Sequence, residues 1–194
     1  MLIFVSVSSC NNDKKKDKKY NELTDKDYQH KSDTVDGETV YFKSATVTNS
    51  PQDFINLDNS QKLFVKHNLE NAGALIKQHE PNSGIDNFTP ETLDKIIDKW
   101  NADSTKFACS GYYLVNSIGC AFGQYLVKTY RMKWTMVTDE NGTDYATTLK
   151  DINLTNFPLN SVAKAIEQKT DGSLQTISLK TKHQISELNR EIDR

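Results

Sequence analysis

The sequence predicts an α+β domain: a small antiparallel sheet with a hairpin packed against several helices, preceded by a disordered tether. Three observations predict it. Apolar residues recur at helical spacing in several stretches divided by Pro and Gly, and after Tyr130 the period drops to two around Asn141-Gly142. The residues ahead of Glu38 carry too few apolar side chains to join either pattern.

The chain starts MLIFVSVSSC, an apolar run, small residues and then a cysteine. Val7, Ser8, Ser9 and Cys10 resemble, position by position, the lipobox of a bacterial lipoprotein, which implies Cys10 as the acylated residue and 1–9 as the remnant of a signal peptide. The apolar run is at the short limit of such segments and no Lys or Arg precedes Leu2, which predicts a longer signal upstream of Met1. From Asn11 to Gly37 only Tyr20, Leu23, Tyr28 and Val35 are apolar, too little burial to offset the entropy of ordering. Residues 10–37 are therefore expected to be a flexible lipoprotein tether, and 38–194 a single α+β domain. Five lysines between Lys14 and Lys19 would lie near a membrane surface, where each is worth about 1 kcal/mol against anionic headgroups.

Within the domain, Glu38 to Thr48 has the β-branched and aromatic composition of a strand. Asp58 and Gln61 form a capping box ahead of Val65, Leu69, Ala72, Ile76 and His79, a helical series broken at Pro81 to Gly84. Thr89-Pro90-Glu91 opens a second helix, with Leu93, Ile96, Ile97 and Trp100 as its buried stripe. The longest helical signal runs from about Ser104 to Tyr130. Its Gly111, Gly119 and Gly123 each cost about 1 kcal/mol relative to Ala, so Gly119 and Gly123, one turn apart, are expected to admit another backbone closely. Met132, Trp134 and Met136 then alternate with polar or β-branched residues, Asn141-Gly142 predicts a type I′ turn, and Asp144–Leu149 returns. Asp151–Phe157 follows as a third strand, Pro158 opens a helix that stops near Asp171-Gly172, and Leu174–Arg194 closes the chain as an amphipathic helix.

At Ile118-Gly119, Ala121, Gly123 and Leu126, followed by Trp134, the hairpin and Phe157-Pro158 with Val162 and Lys164, the chain resembles a family of uncharacterised bacterial domains, over roughly Glu91 to Lys169. The shared positions, Gly119, Gly123, Trp134 and Pro158 above all, are of a kind that specifies a fold, so the resemblance implies a structure and no activity. Gln124 stands where many members are expected to carry an acid.

Chemistry is sparse in the sequence. His30, His67, His79 and His183 show no metal-ligand spacing with one another or with Cys, and His67 with Glu70 reads as an exposed i, i+3 pair. Cys109 and Cys120 on one helix would stand ~16 Å apart, beyond the ~7 Å a disulfide spans; a bridge becomes possible only if Gly111 marks a break between them, so two buried thiols are expected. There is no phosphate loop, G-x-S-x-G or H-E-x-x-H. No catalytic residue, metal or cofactor is assigned. The aromatic residues Tyr112, Tyr113, Tyr125 and Tyr130 share the glycine-bearing helix and form the candidate binding set, since Tyr offers large area at low side-chain entropy.

With 24 basic against 26 acidic residues and a net charge of −2, no nucleic-acid partner is expected. The overall expectation is a lipid-anchored protein of the bacterial cell envelope, periplasmic or surface-exposed, held to the membrane through Cys10 and acting as a protein-binding module, in one version an immunity or inhibitor protein. The alternative is an envelope enzyme, such as a hydrolase, with a site near helix 104–130. The apolar fraction sharpens the first reading: 59 of the 157 residues from Glu38 onward are apolar, about 38%, short of the ~45–50% of compact domains.

Overall fold

The computed structural model describes residues 29–35, 38–44, 52–139, 142–149, 154–169 and 172–192. Cys10 and the first part of the expected tether lie outside them. The chain divides into two compact units, Met1–Asp53 with Thr138–Gly142, and Phe54–Val137 with Thr143–Arg194.

In the first unit, β1 (Gln29–Val35) pairs antiparallel with β2 (Glu38–Ser44), in register from Gln29↔Ser44 to Val35↔Glu38. The end of the expected tether thus carries a strand, and β2 pairs with it. Asp36-Gly37 is the sequence signal that explains the difference. As sequence, an Asp-Gly pair flanked by Thr34-Val35 and Thr39-Val40 is a hairpin signal.

Among the described residues, the second unit holds five helices and the greater part of an antiparallel sheet of order β3 (Asp53–Asn56), β4 (Lys133–Asp139), β5 (Gly142–Leu149), β6 (Leu154–Asn156), an α+β arrangement. Helix α1 (Asn59–His79) begins at the capping box: Asp58 Oδ1 accepts from Gln61 N–H at 2.8 Å, and Gln61 Oε1 accepts from Asp58 N–H at 2.8 Å. Helix α2 (Pro90–Ala102) has Thr89 as its N-cap and buries Leu93, Ile96 and Ile97. One helix does not run from Ser104 to Tyr130. Asp103 caps a single 3-10 turn at Ser104–Lys106, and Ser110 Oγ then accepts from Tyr113 N–H to start α3 (Gly111–Tyr130). Two polar side chains that bond their own backbone stop one helix and nucleate the next. Gly111 is therefore a first-turn residue, and Cys109 lies off the helix that holds Cys120.

Gly119 and Gly123 are the interior glycines of α3, and the space they leave is filled. A Cβ on Gly119 would fall 2.8 Å from Leu159 Cα. On Gly123 it would fall 2.2 Å from Trp134 Cη2 and 3.1 Å from Pro158 Cγ. The backbone of α4 (Pro158–Gln168) and the Trp134 indole thus sit directly on the α3 backbone. Pro158 at the first helical position lets α4 begin at this seam without an orphaned N–H.

The strand β4 (Lys133–Asp139) departs from simple alternation, because Thr135, Met136 and Val137 are all buried and its middle is covered on both faces. β5 (Gly142–Leu149) starts two residues before the expected Asp144, with Gly142 at φ +131° as its first residue; Asn141 is outside the described residues. β6 (Leu154–Asn156) pairs antiparallel with β5 from Thr147↔Asn156 to Leu149↔Leu154. The edge strand β3 (Asp53–Asn56) has no counterpart in the sequence reading. Four residues with two adjacent apolar side chains are too short for any period to register. Helix α5 (Ser173–Ile192) closes the unit.

Candidate functional site

The four candidate tyrosines divide into two pairs at opposite ends of α3. Tyr125 and Tyr130, their rings 6.1 Å apart edge to face, turn toward α5. Ser178 Oγ donates to Tyr125 Oη at 3.3 Å, and Tyr130 Oη donates to the Ser178 carbonyl at 3.1 Å while lying 2.9 Å from its hydroxyl. These hydroxyls are spent on fastening α5 to α3. They hold structure together and present little to a ligand.

Tyr112 and Tyr113 occupy the first turn of α3. Tyr112 is 76% exposed, the most open of the large hydrophobic side chains among the described residues. Tyr113 turns inward beside Cys109, where burial raises its pKa, with the Cys109 charge adding to the effect. Between the last turns of α1 and this start of α3 lies a shallow groove of about 330 Å³, lined by Ala74, Leu75, Gln78, Cys109, Ser110 and Tyr113. Its thiol is half-buried, and burial pushes its pKa up. Cys120 is fully buried and pushed up to about 12. Low-pKa thiolates arise beside cations or helix N-termini that stabilise the anion, and neither thiol here has been lowered, so the expected pair of buried thiols is half realised and neither is primed for nucleophilic attack.

A third region has no counterpart in the sequence pattern. Along β3 and the first turns of α1, Phe54 (42%), Ile55 (57%) and Leu63 (64%) are exposed, Phe54 and Ile55 on opposite faces of their strand. Beside them a groove of about 420 Å³ is lined by Asn56, Leu57, Lys62, Val65 and Trp134. Thr135 Oγ donates to the Ile55 carbonyl at 2.9 Å, so β3 is tied down on the β4 side only, among the described residues.

Asp94 is the other residue that pattern reading missed. Only 3% exposed on α2, its carboxylate accepts from the backbone N–H groups of Leu174 and Gln175, each at 3.0 Å, and so caps α5 from 80 residues away. Burial raises its pKa to about 6, against the lowering effect of those two bonds. The one available signal was an acid adjoining Leu93 on the apolar arc of α2. Among the described residues no three His, Cys, Asp or Glu side chains gather as a metal site, and no helix is long and apolar enough to cross a membrane.

Residues 90–177, from the start of α2 into the first turns of α5, match a family model described as a domain of unknown function (DUF3806). The stretch over which the sequence resembles uncharacterised bacterial domains lies inside this match, as do Asp94, the Gly119–Gly123 seam and all four tyrosines. No curated protein matches the chain. A crystal structure of a protein from Bacteroides thetaiotaomicron VPI-5482 superposes with a TM-score of 0.49 at 14% identity, over 77% of this chain and 69% of that one.

Proposed function

We propose that this chain is a lipid-anchored protein of the bacterial cell envelope, fixed to the membrane through Cys10, whose second unit binds another protein. An immunity or inhibitor protein is one concrete form of this role. The observation that carries the binding reading is the exposure of Phe54, Ile55 and Leu63 beside the Trp134 groove, in a chain whose apolar content is low. Three large apolar side chains left about half in water forgo on the order of 1 kcal/mol each, roughly half of what full burial gives, and a protein surface closing over them would recover it. The anchor rests on the Val7-Ser8-Ser9-Cys10 pattern alone.

Each half has its own test. Expressed in a bacterial host behind a complete signal sequence, the Cys10→Ser variant is expected to lose acyl labelling and to leave the membrane fraction; unchanged labelling and fractionation would sink the anchor. For binding, cross-linking in intact cells should yield a discrete adduct that Ile55→Lys combined with Leu63→Lys abolishes. An adduct that survives those charges places the contact elsewhere.

A further inference from the structure

His79, the last residue of α1, lies with its imidazole stacked on Phe107, the ring centroids 3.8 Å apart and the planes 19° apart. Phe107 in turn meets Trp100 of α2 edge to face at 5.2 Å. Between Asp103 and Ser110, the stretch that carries the chain from α2 to α3, Phe107 is the one buried side chain. The stack is therefore the anchor of this strap against the end of α1, and the strap's Cys109 and Ser110 form one wall of the 330 Å³ groove described above.

The imidazole is held in a place suited to its neutral form. Its Nε2 is shut off from solvent and meets no hydrogen-bond partner. The charged group acting on the ring is the Lys99 ammonium of α2, which donates to the His79 carbonyl and to the Glu80 carboxylate. Glu80 is thereby engaged by Lys99. On the strap, Asp103 and Lys106 pair with each other at 3.3 Å. The negative end of the α1 dipole would favour a cation, but Lys77 already stands in that last turn.

We infer that the His79–Phe107–Trp100 stack is an acid-sensitive clasp: with neutral His79 it holds the strap against α1, and when His79 takes a proton it loosens the strap and opens the groove. A protonated Nε2 needs an acceptor where the closed site offers none, and Lys99 adds a second cation nearby, so that N–H finds water only by moving away from Phe107. Burial first, and Lys99 second, accordingly hold the His79 pKa below the usual 6.5. The sign follows: the clasp is at full strength above about 6.5 and weakens as the pH falls below it. This inference does not depend on the binding role proposed above.

The test is a proton NMR titration of the His79 Cε1–H in the full chain, with amide exchange at Glu80, Phe107 and Tyr113, whose N–H groups are all bonded in the closed form. The comparison is His79→Phe, which keeps an aromatic stack and cannot take a proton. We expect His79 to titrate below the ordinary histidine value, and protection at those amides, relative to His79→Phe, to fall several-fold between about pH 7 and about pH 5. Titration at or above the ordinary value, or an equal loss of protection in His79→Phe, overturns the clasp. Should the variant not fold, the wild-type titration decides alone.

Discussion

The seam between α3 and α4 and the margin formed by β3 with the start of α1 treat apolar surface in opposite ways. At the seam, side chains are deleted so that backbone meets backbone: Gly119 faces Leu159 Cα, and Gly123 lies under Trp134 and Pro158. At the margin, large side chains are kept and left in water, with Leu63 and Ile55 more than half exposed. Packing theory accounts for the first, since close contact between two helices recovers dispersion energy that offsets the cost of helical glycine. Nothing inside the fold accounts for the second. The seam is where this protein is made rigid, and the margin is where its own core stops.

The comparison breaks most visibly at the seam. Gly119→Ala combined with Gly123→Ala should cost about 3–5 kcal/mol, net of the ~1 kcal/mol of helix propensity that each alanine returns, because one new methyl meets α4 backbone and the other a wedged indole. Urea unfolding would read this as a large fall in midpoint at constant slope. A double variant within 1 kcal/mol of wild type, on the order of one helical glycine's cost, would mean the seam yields freely.

Next in size is Asp94→Ala, expected to cost about 2 kcal/mol by leaving the buried Leu174 N–H, and the partly buried one of Gln175, without an acceptor. Its pH dependence has a defined sign. Asp94 has a folded pKa raised to about 6, so the folded state holds this proton more tightly than the unfolded chain, whose value is near 3.8. Stability from this group therefore rises as the pH falls through about 6 toward 3.8, and is lost again above about 6. His79 pulls the other way in part of the same range. The measurement is accordingly a difference: the stability of wild type minus that of Asp94→Asn should grow by about 1 kcal/mol between pH 7 and pH 5. A flat difference would place the Asp94 carboxylate in water, and an inverted one would show its two N–H bonds outweighing burial.

How much of this was legible in the sequence follows the same division. The seam could be read because it is written in residue types with a cost: glycine inside a helix, a proline at a helix start and a tryptophan on a strand each need a reason, and Gly119, Gly123, Pro158 and Trp134 supply one for each other. The helix starts at Asp58 and Thr89 were legible because caps are local. What escaped depends on distance along the chain. Asp94 caps a helix 80 residues away, which no local pattern records. β3 is too short for periodicity, and so the exposed margin went unseen. The tyrosines were identified as a set by their shared helix, but α5 claims Tyr125 and Tyr130, a partition that only tertiary contact decides. The break at Phe107–Ser110 was masked because apolar residues on either side keep helical spacing through it.

Tyr130→Phe tests that partition with a smaller effect. Loss of the hydroxyl bonded to the Ser178 carbonyl and hydroxyl should cost about 1 kcal/mol and lower protection along α5 ahead of the rest of the unit. A Tyr130→Phe chain as stable as wild type would free that hydroxyl for a role outside the fold.

The smallest expected change in stability belongs to the margin, and it is the most informative. Ile55→Lys and Leu63→Lys replace exposed side chains that the interior does not use, so each should shift unfolding by no more than about 0.5 kcal/mol. A core role predicts otherwise: had these side chains been packed, a buried lysine would cost several kcal/mol. Near-neutral stability combined with loss of the cross-linked adduct separates a surface kept for a partner from one that merely escaped burial. Near-neutral stability with the adduct intact assigns the margin to chance exposure, and would direct the search to Tyr112, which the fold leaves more open than Ile85, the other large hydrophobic exposed among the described residues.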